Sequence, residues 1–114
     1  MATEKKYKWH KLAKPDEFLV AEGVVMHLAV PEKHFCITQH KGEYFAFQAK
    51  CPHAGASFEH AHINGSGCLV CPLHRFQFDI RNGRNVSGEG FYLVTYPIQT
   101  NEHGIWVGMP EQIW

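Results

Sequence analysis

Two short segments of the chain pair a cysteine with a histidine across a proline: Cys51-Pro52-His53 and Cys71-Pro72-Leu73-His74, with seventeen residues between His53 and Cys71. Thiolate and imidazole are the side chains that softer metal ions select. A metal site built from both pairs requires two loops to converge, each supplying one sulfur and one nitrogen. A reversal at Asn64-Gly65 achieves this, because a hairpin there returns the chain and sets Cys51 beside Cys71 and His53 beside His74. Two disulfides are the competing use of four cysteines. A chain that is 45% hydrophobic, with eight Phe, four Tyr and three Trp, builds a core without such staples, and its nine histidines favour metal binding.

Turn signals punctuate the chain at Pro31-Glu32, Lys41-Gly42, Asn64-Gly65, Asn82-Gly83 and Glu102-His103-Gly104, each near a run of branched or aromatic residues. That rhythm predicts an all-β fold. The expected strands run from Tyr7 to Leu12, Val24 to Val30, His34 to Gln39, Tyr44 to Ala49, Cys68 to Cys71, Phe76 to Ile80, Phe91 to Ile98 and Ile105 to Gly108. Along the fourth, the two-residue period puts Phe45, Phe47 and Ala49 on one face and Tyr44, Ala46 and Gln48 on the other, and one face is expected to be core. A helical turn is expected near Pro15. At 114 residues the chain is read as a single domain, 1–114, with one site.

Eleven Lys and Arg balance eleven Asp and Glu, so the formal net charge is zero. No basic stripe is present to follow a phosphate backbone, and no nucleic acid partner is expected. The N-terminal lysines have no apolar run behind them, and no stretch of about eighteen apolar residues follows. The expectation is a soluble, cytoplasmic protein with no membrane partner.

The C-x-H pair followed by C-x-x-H resembles the ligand pattern of Rieske [2Fe-2S] proteins, and the chain looks like a Rieske-type ferredoxin. The likeness is densest between Lys50 and Ile80. It implies an antiparallel β sandwich or barrel base with a small cluster-binding subdomain over approximately 50–80, formed by two loops. It also implies one [2Fe-2S] cluster, with Cys51 and Cys71 on the inner iron and His53 and His74 on the outer one. High-potential members carry an extra cysteine in each loop, joined in a disulfide, where this chain has Ala56 and Leu73. They also donate hydroxyl hydrogen bonds from a serine and a tyrosine after the second histidine, where this chain reads Arg75-Phe76-Gln77-Phe78. Fewer donors stabilise the reduced cluster less, so the potential is expected in the lower part of a range of roughly −150 to +300 mV. Arg75 stands where ferredoxin relatives often have glycine, and reads either as a cation serving the site mouth or as a solvated loop residue.

A mononuclear zinc site is the main structural alternative, since two Cys and two His form an ordinary tetrahedral set. Zinc fingers, however, pair like with like, whereas each loop here mixes one of each. Cys68 and Cys71 also form a C-x-x-C, but at a strand entering a loop rather than at a helix N-terminus. Cys36 and Cys68 are expected to be buried small hydrophobes. His60 and His62 have no accompanying cysteine and are read as surface or supporting residues, while His10, His27, His34, His40 and His103 are read as isolated surface positions. The functional expectation is a one-electron carrier, with no enzymatic activity alone, that passes electrons from a flavin-dependent reductase to a terminal oxygenase or other oxidoreductase. The alternatives are a small subunit of a larger oxidoreductase, resembling that of nitrite reductase, and a zinc-held interaction module.

Overall fold

The computed structural model describes residues 7–15, 17, 19–31, 33–51, 57–58, 61–72, 75–87 and 92–110. Among these, ten strands form: β1 (Tyr7–Ala13), β2 (Val25–Val30), β3 (Lys33–His40), β4 (Glu43–Gln48), β5 (His62–Ile63), β6 (Cys68–Val70), β7 (Gln77–Asp79), β8 (Thr95–Tyr96), β9 (Ile98–Asn101) and β10 (Gly104–Pro110). They make three antiparallel sheets, ordered β1-β10-β9, β2-β3-β4-β8 and β5-β6-β7. No helix among the described residues is long and apolar enough to cross a membrane.

The four-stranded sheet separates two cores. On β3, Phe35 and Ile37 join Ala46, Tyr96, Val107 and Met109 in a core shared with the β1-β10-β9 sheet. Cys36, one position out of phase, joins Phe47, Leu69, Phe78 and Ile80 in a second core shared with β5-β6-β7. The expectation of one buried face on β4 is therefore corrected. Ala46 and Phe47 point to opposite faces and both are buried, because a sheet is packed on each side.

Two local features hold the layers in place. The expected strand over Phe91 to Ile98 is not continuous, and Phe91 lies outside the described residues. The chain pairs with β4 through β8, breaks at Pro97, which has no amide hydrogen to extend a ladder, and continues as β9 against β10. One segment thus stitches two sheets together. Gly83, at φ +78, meets the 92–94 segment so closely that an added Cβ would collide with the Leu93 carbonyl oxygen. Its own carbonyl accepts from Leu93 N at 2.8 Å.

The remaining differences are local. β5 was not expected, since two residues carry no readable period. Near Pro15 the structure has one turn, Glu17 N donating to Lys14 O at 3.0 Å, and no helix among the described residues.

Candidate metal centre

Each cysteine of the two pairs sits where a loop leaves a strand, and each loop is closed at its base. After β4, Lys50 bridges Ser57, and Phe58 N donates to Ala49 O at 3.1 Å, so the chain from Cys51 onward is a closed excursion. After β6, Cys71 N donates to Phe76 O at 2.8 Å and Arg75 N donates to Cys71 O at 2.9 Å, closing a second, tighter loop. The hairpin expected at Asn64-Gly65 is present between β5 and β6. The Asn64 carboxamide oxygen accepts from Ser66 N and Cys68 N at 3.0 and 3.1 Å, the side-chain turn that favours asparagine there.

Cys51 and Cys71 are 2% and 0% exposed and belong to one apolar cluster with Phe47, Phe58, Leu69, Phe78, Ile80 and Leu93. His53 and His74 lie outside the described residues, as does His60. Among the described residues, no group of three or more His, Cys, Asp or Glu side chains is arranged to hold a metal ion.

The donor chemistry fits an iron–sulfur group. Two thiols, walled off from water by aromatic and aliphatic side chains, provide anionic ligands whose charge is unfavourable in that environment until a cation neutralises it. Pro72 and Arg75, on either side of positions 73 and 74, are exposed. The second loop thus begins at a buried sulfur, at Cys71, and carries exposed residues at positions 72 and 75.

The other two cysteines are buried, as expected, and are placed differently. Cys36 is 1% exposed, and burial pushes its thiol from the ordinary 9.0 up to about 11. Cys68 is displaced upward by burial first and then by the Asp79 carboxylate, with Arg81 opposing. Along β6 and into the loop, Leu69 and Cys71 share one parity and Cys68 and Val70 the other. Cys68 therefore turns away from Cys71, which removes the dithiol reading.

The Cys36 displacement makes a pH prediction. Its folded pKa lies above its unfolded one, so the neutral thiol's contribution is fully present below about pH 9 and is lost as pH rises toward about 11. Urea midpoints of the wild type should fall across that window more steeply than those of Cys36→Ala. Equal slopes would show that the thiol is not held neutral.

One histidine reading is refined and one is corrected. His27 and His34 are exposed, as expected, but their rings lie 5.2 Å apart across β2 and β3, because the diagonal register brings them onto one face. His40 is not on the surface. Its side chain is 11% exposed, with Nδ1 3.4 Å from Glu22, because it ends β3 beneath the β5–β6 turn, where its ring abuts Gly67.

Two contributors had no signal in the motif. Phe58 stacks edge-on against Phe47 at 5.8 Å and anchors the far end of the first loop. Gln77 fixes the exit of the second, its amide donating to Ser87 Oγ at 2.8 Å and its carboxamide oxygen accepting from Asn64 Nδ2 at 3.2 Å.

A family model described as Rieske [2Fe-2S] domain matches residues 8–97. The ferredoxin component of the alkene monooxygenase system of Xanthobacter autotrophicus is 25% identical over 79 residues, covering 69% of this chain and 65% of that protein. Among solved structures, the ferredoxin of carbazole 1,9a-dioxygenase from Nocardioides aromaticivorans IC177 superposes with a TM-score of 0.74 at 19% identity, covering 90% of this chain and 98% of the other. A putative NADH-dependent nitrite reductase small subunit from Mycobacterium tuberculosis superposes with a TM-score of 0.76 at 16% identity, covering 90% and 96%. At these identities the structural likeness is one of fold: the all-β antiparallel architecture expected from the sequence.

Proposed function

The chain belongs to the Rieske [2Fe-2S] domain family, and from that premise we propose that it is a one-electron carrier working as a soluble, cytoplasmic partner of larger redox proteins. The observation that carries this reading is the burial of Cys51 and Cys71 in one apolar core at the mouths of two closed loops. In this proposal the chain is a single domain whose residues 50–80 form the cluster-binding part. Cys51 and Cys71 hold the inner iron, and His53 and His74 the outer one. When bound, the group supplies reversible one-electron chemistry with no vacant coordination position for a substrate.

The residues around it do the rest. Phe47, Phe58, Leu69 and Phe78 exclude water from the thiolate side, which raises the cost of adding negative charge there. Neutral imidazoles keep the total negative charge below that of a four-thiolate site, which works the other way. Exposed Pro72 and Arg75 place the outer side of the second loop at the surface, where a partner can approach. The electron donor in this reading is a flavin-dependent reductase, and the acceptor is a terminal oxygenase or another oxidoreductase. Similarity to a ferredoxin component of an alkene monooxygenase system supports that placement.

Electron paramagnetic resonance of the dithionite-reduced protein tests the reading. A mixed Cys/His cluster gives a lower average g value than an all-thiolate one, and a titration should place the potential in the lower part of the roughly −150 to +300 mV Rieske range. Colourless protein carrying stoichiometric zinc would overturn it. Copurification of a large flavin or haem subunit would assign the chain to an oxidoreductase complex instead.

A further inference from the structure

Arg75 combines an unfavourable backbone conformation with a charge that no described residue pairs. Its φ is +57, in the left-handed region where a residue with a Cβ is strained by about 1 kcal/mol relative to glycine. The loop dictates that conformation, since Arg75 N must reach Cys71 O while Cys71 N reaches Phe76 O. The loop does not dictate arginine; glycine would meet the same geometry with less strain. An arginine held in such a conformation, where glycine would be unstrained, points to a contact made by its side chain.

No such contact is found among the described residues. The side chain is exposed, and its guanidinium has no hydrogen-bond or ion-pair partner among them. Arg81 provides the contrast: it is also exposed, yet is committed to Asp79 through Nε and Nη2 at 2.8 and 2.9 Å. Lys41, the other non-glycine residue at positive φ among the described residues, opens the β3–β4 hairpin, and its amide is held by Glu22 at 2.8 Å. Lys50, also exposed, immediately precedes Cys51 at the base of the first loop. Both loops therefore present a cation next to a candidate ligand on a chain whose formal net charge is zero.

We propose that Arg75, assisted by Lys50, is a partner-recognition residue that docks carboxylates rimming the electron port of the redox partner. The inference rests on the electron-carrier reading and specifies the surface chemistry of the partner. Guanidinium suits this role because its planar fork takes a carboxylate with two parallel hydrogen bonds. A rim charge of this kind acts mainly on the rate of encounter and on its salt dependence.

Small redox reagents of opposite charge test the local field without requiring the natural partner. The reduced protein is oxidised in stopped flow by ferricyanide or by tris(phenanthroline)cobalt(III), one electron passing from the cluster to the metal complex in each case. At low ionic strength, Arg75→Gly should slow the anionic reagent by about threefold and speed the cationic one, and salt should erase the difference. Arg75→Lys should keep most of the wild-type preference, and Arg75→Glu should reverse it. Arg75→Gly should also unfold at a higher temperature than the wild type, since the strain is relieved. Equal rates in wild type and Arg75→Gly for both reagents, with unchanged cluster spectra and potential, would overturn the inference while leaving the carrier function intact. Absence of any cluster signal in the wild type would instead remove the carrier reading itself.

Discussion

Cys71→Ala should give a folded protein with iron and acid-labile sulfide at background and no paramagnetic signal after reduction. In the proposed ligand set Cys71 would hold the inner iron, and its side chain is fully buried, so no water or surface group could take its place there. Loss of one anionic ligand leaves a cation's charge uncompensated in an apolar wall. The fold should survive because the bonds that close the second loop, Cys71 N to Phe76 O and Arg75 N to Cys71 O, use only backbone atoms. Cys36→Ala and Cys68→Ala supply the contrast. Both thiols are buried and both are pushed up, Cys36 to about 11, but neither shares the placement of Cys51 and Cys71 at the loop mouths. These two variants should keep normal iron and sulfide. Wild-type cluster content in Cys71→Ala, or its loss in Cys68→Ala, would show that the ligand set is wrong.

The turn between the two proposed ligand loops is legible in the sequence because its determinants are local. The turn at Asn64-Gly65 depends on one carboxamide oxygen that accepts from two nearby amides, so residue identity alone signals the reversal. The strands β2, β3 and β4 fall within a residue or two of their expected limits, because branched and aromatic runs bounded by turns have few other uses.

What escapes sequence reading is set by tertiary partners. Period two on β4 shows that Ala46 and Phe47 face opposite ways, but not that a sheet waits on each side. Pro97 is visible in the sequence, but the transfer of the chain from β4 to β10 depends on where those strands end. His40 reads as a surface residue until the β5–β6 turn is laid over it. The left-handed conformation of Arg75 follows from the geometry of loop closure, which residue type alone would have argued against.

The second core gives the other large effect, because it is the only packed connection from the four-stranded sheet to both cysteines among the described cores. Phe47 is fully buried at its centre, opposite Cys36 on β3 and Thr95 on β8, and its ring meets Phe58 at 5.8 Å and 80°. Phe47→Ala removes that ring without changing any backbone hydrogen bond. Deletions of this kind cost about 3–5 kcal/mol, combining lost transfer energy with the cavity left behind. A domain with roughly 5–15 kcal/mol of stability is then left marginal or unfolded. The urea midpoint should drop sharply, whereas Val94→Ala, at an exposed position, should change stability by about 0.5 kcal/mol or less. Cluster retention should fall as well, since Phe58 loses the surface that seats the far end of the first loop. Chelator-driven iron loss from native Phe47→Ala should therefore be faster than from the wild type. If stability falls by less than about 1 kcal/mol and iron is lost at the wild-type rate, the aromatic pair is not what fixes the first loop to the sheet.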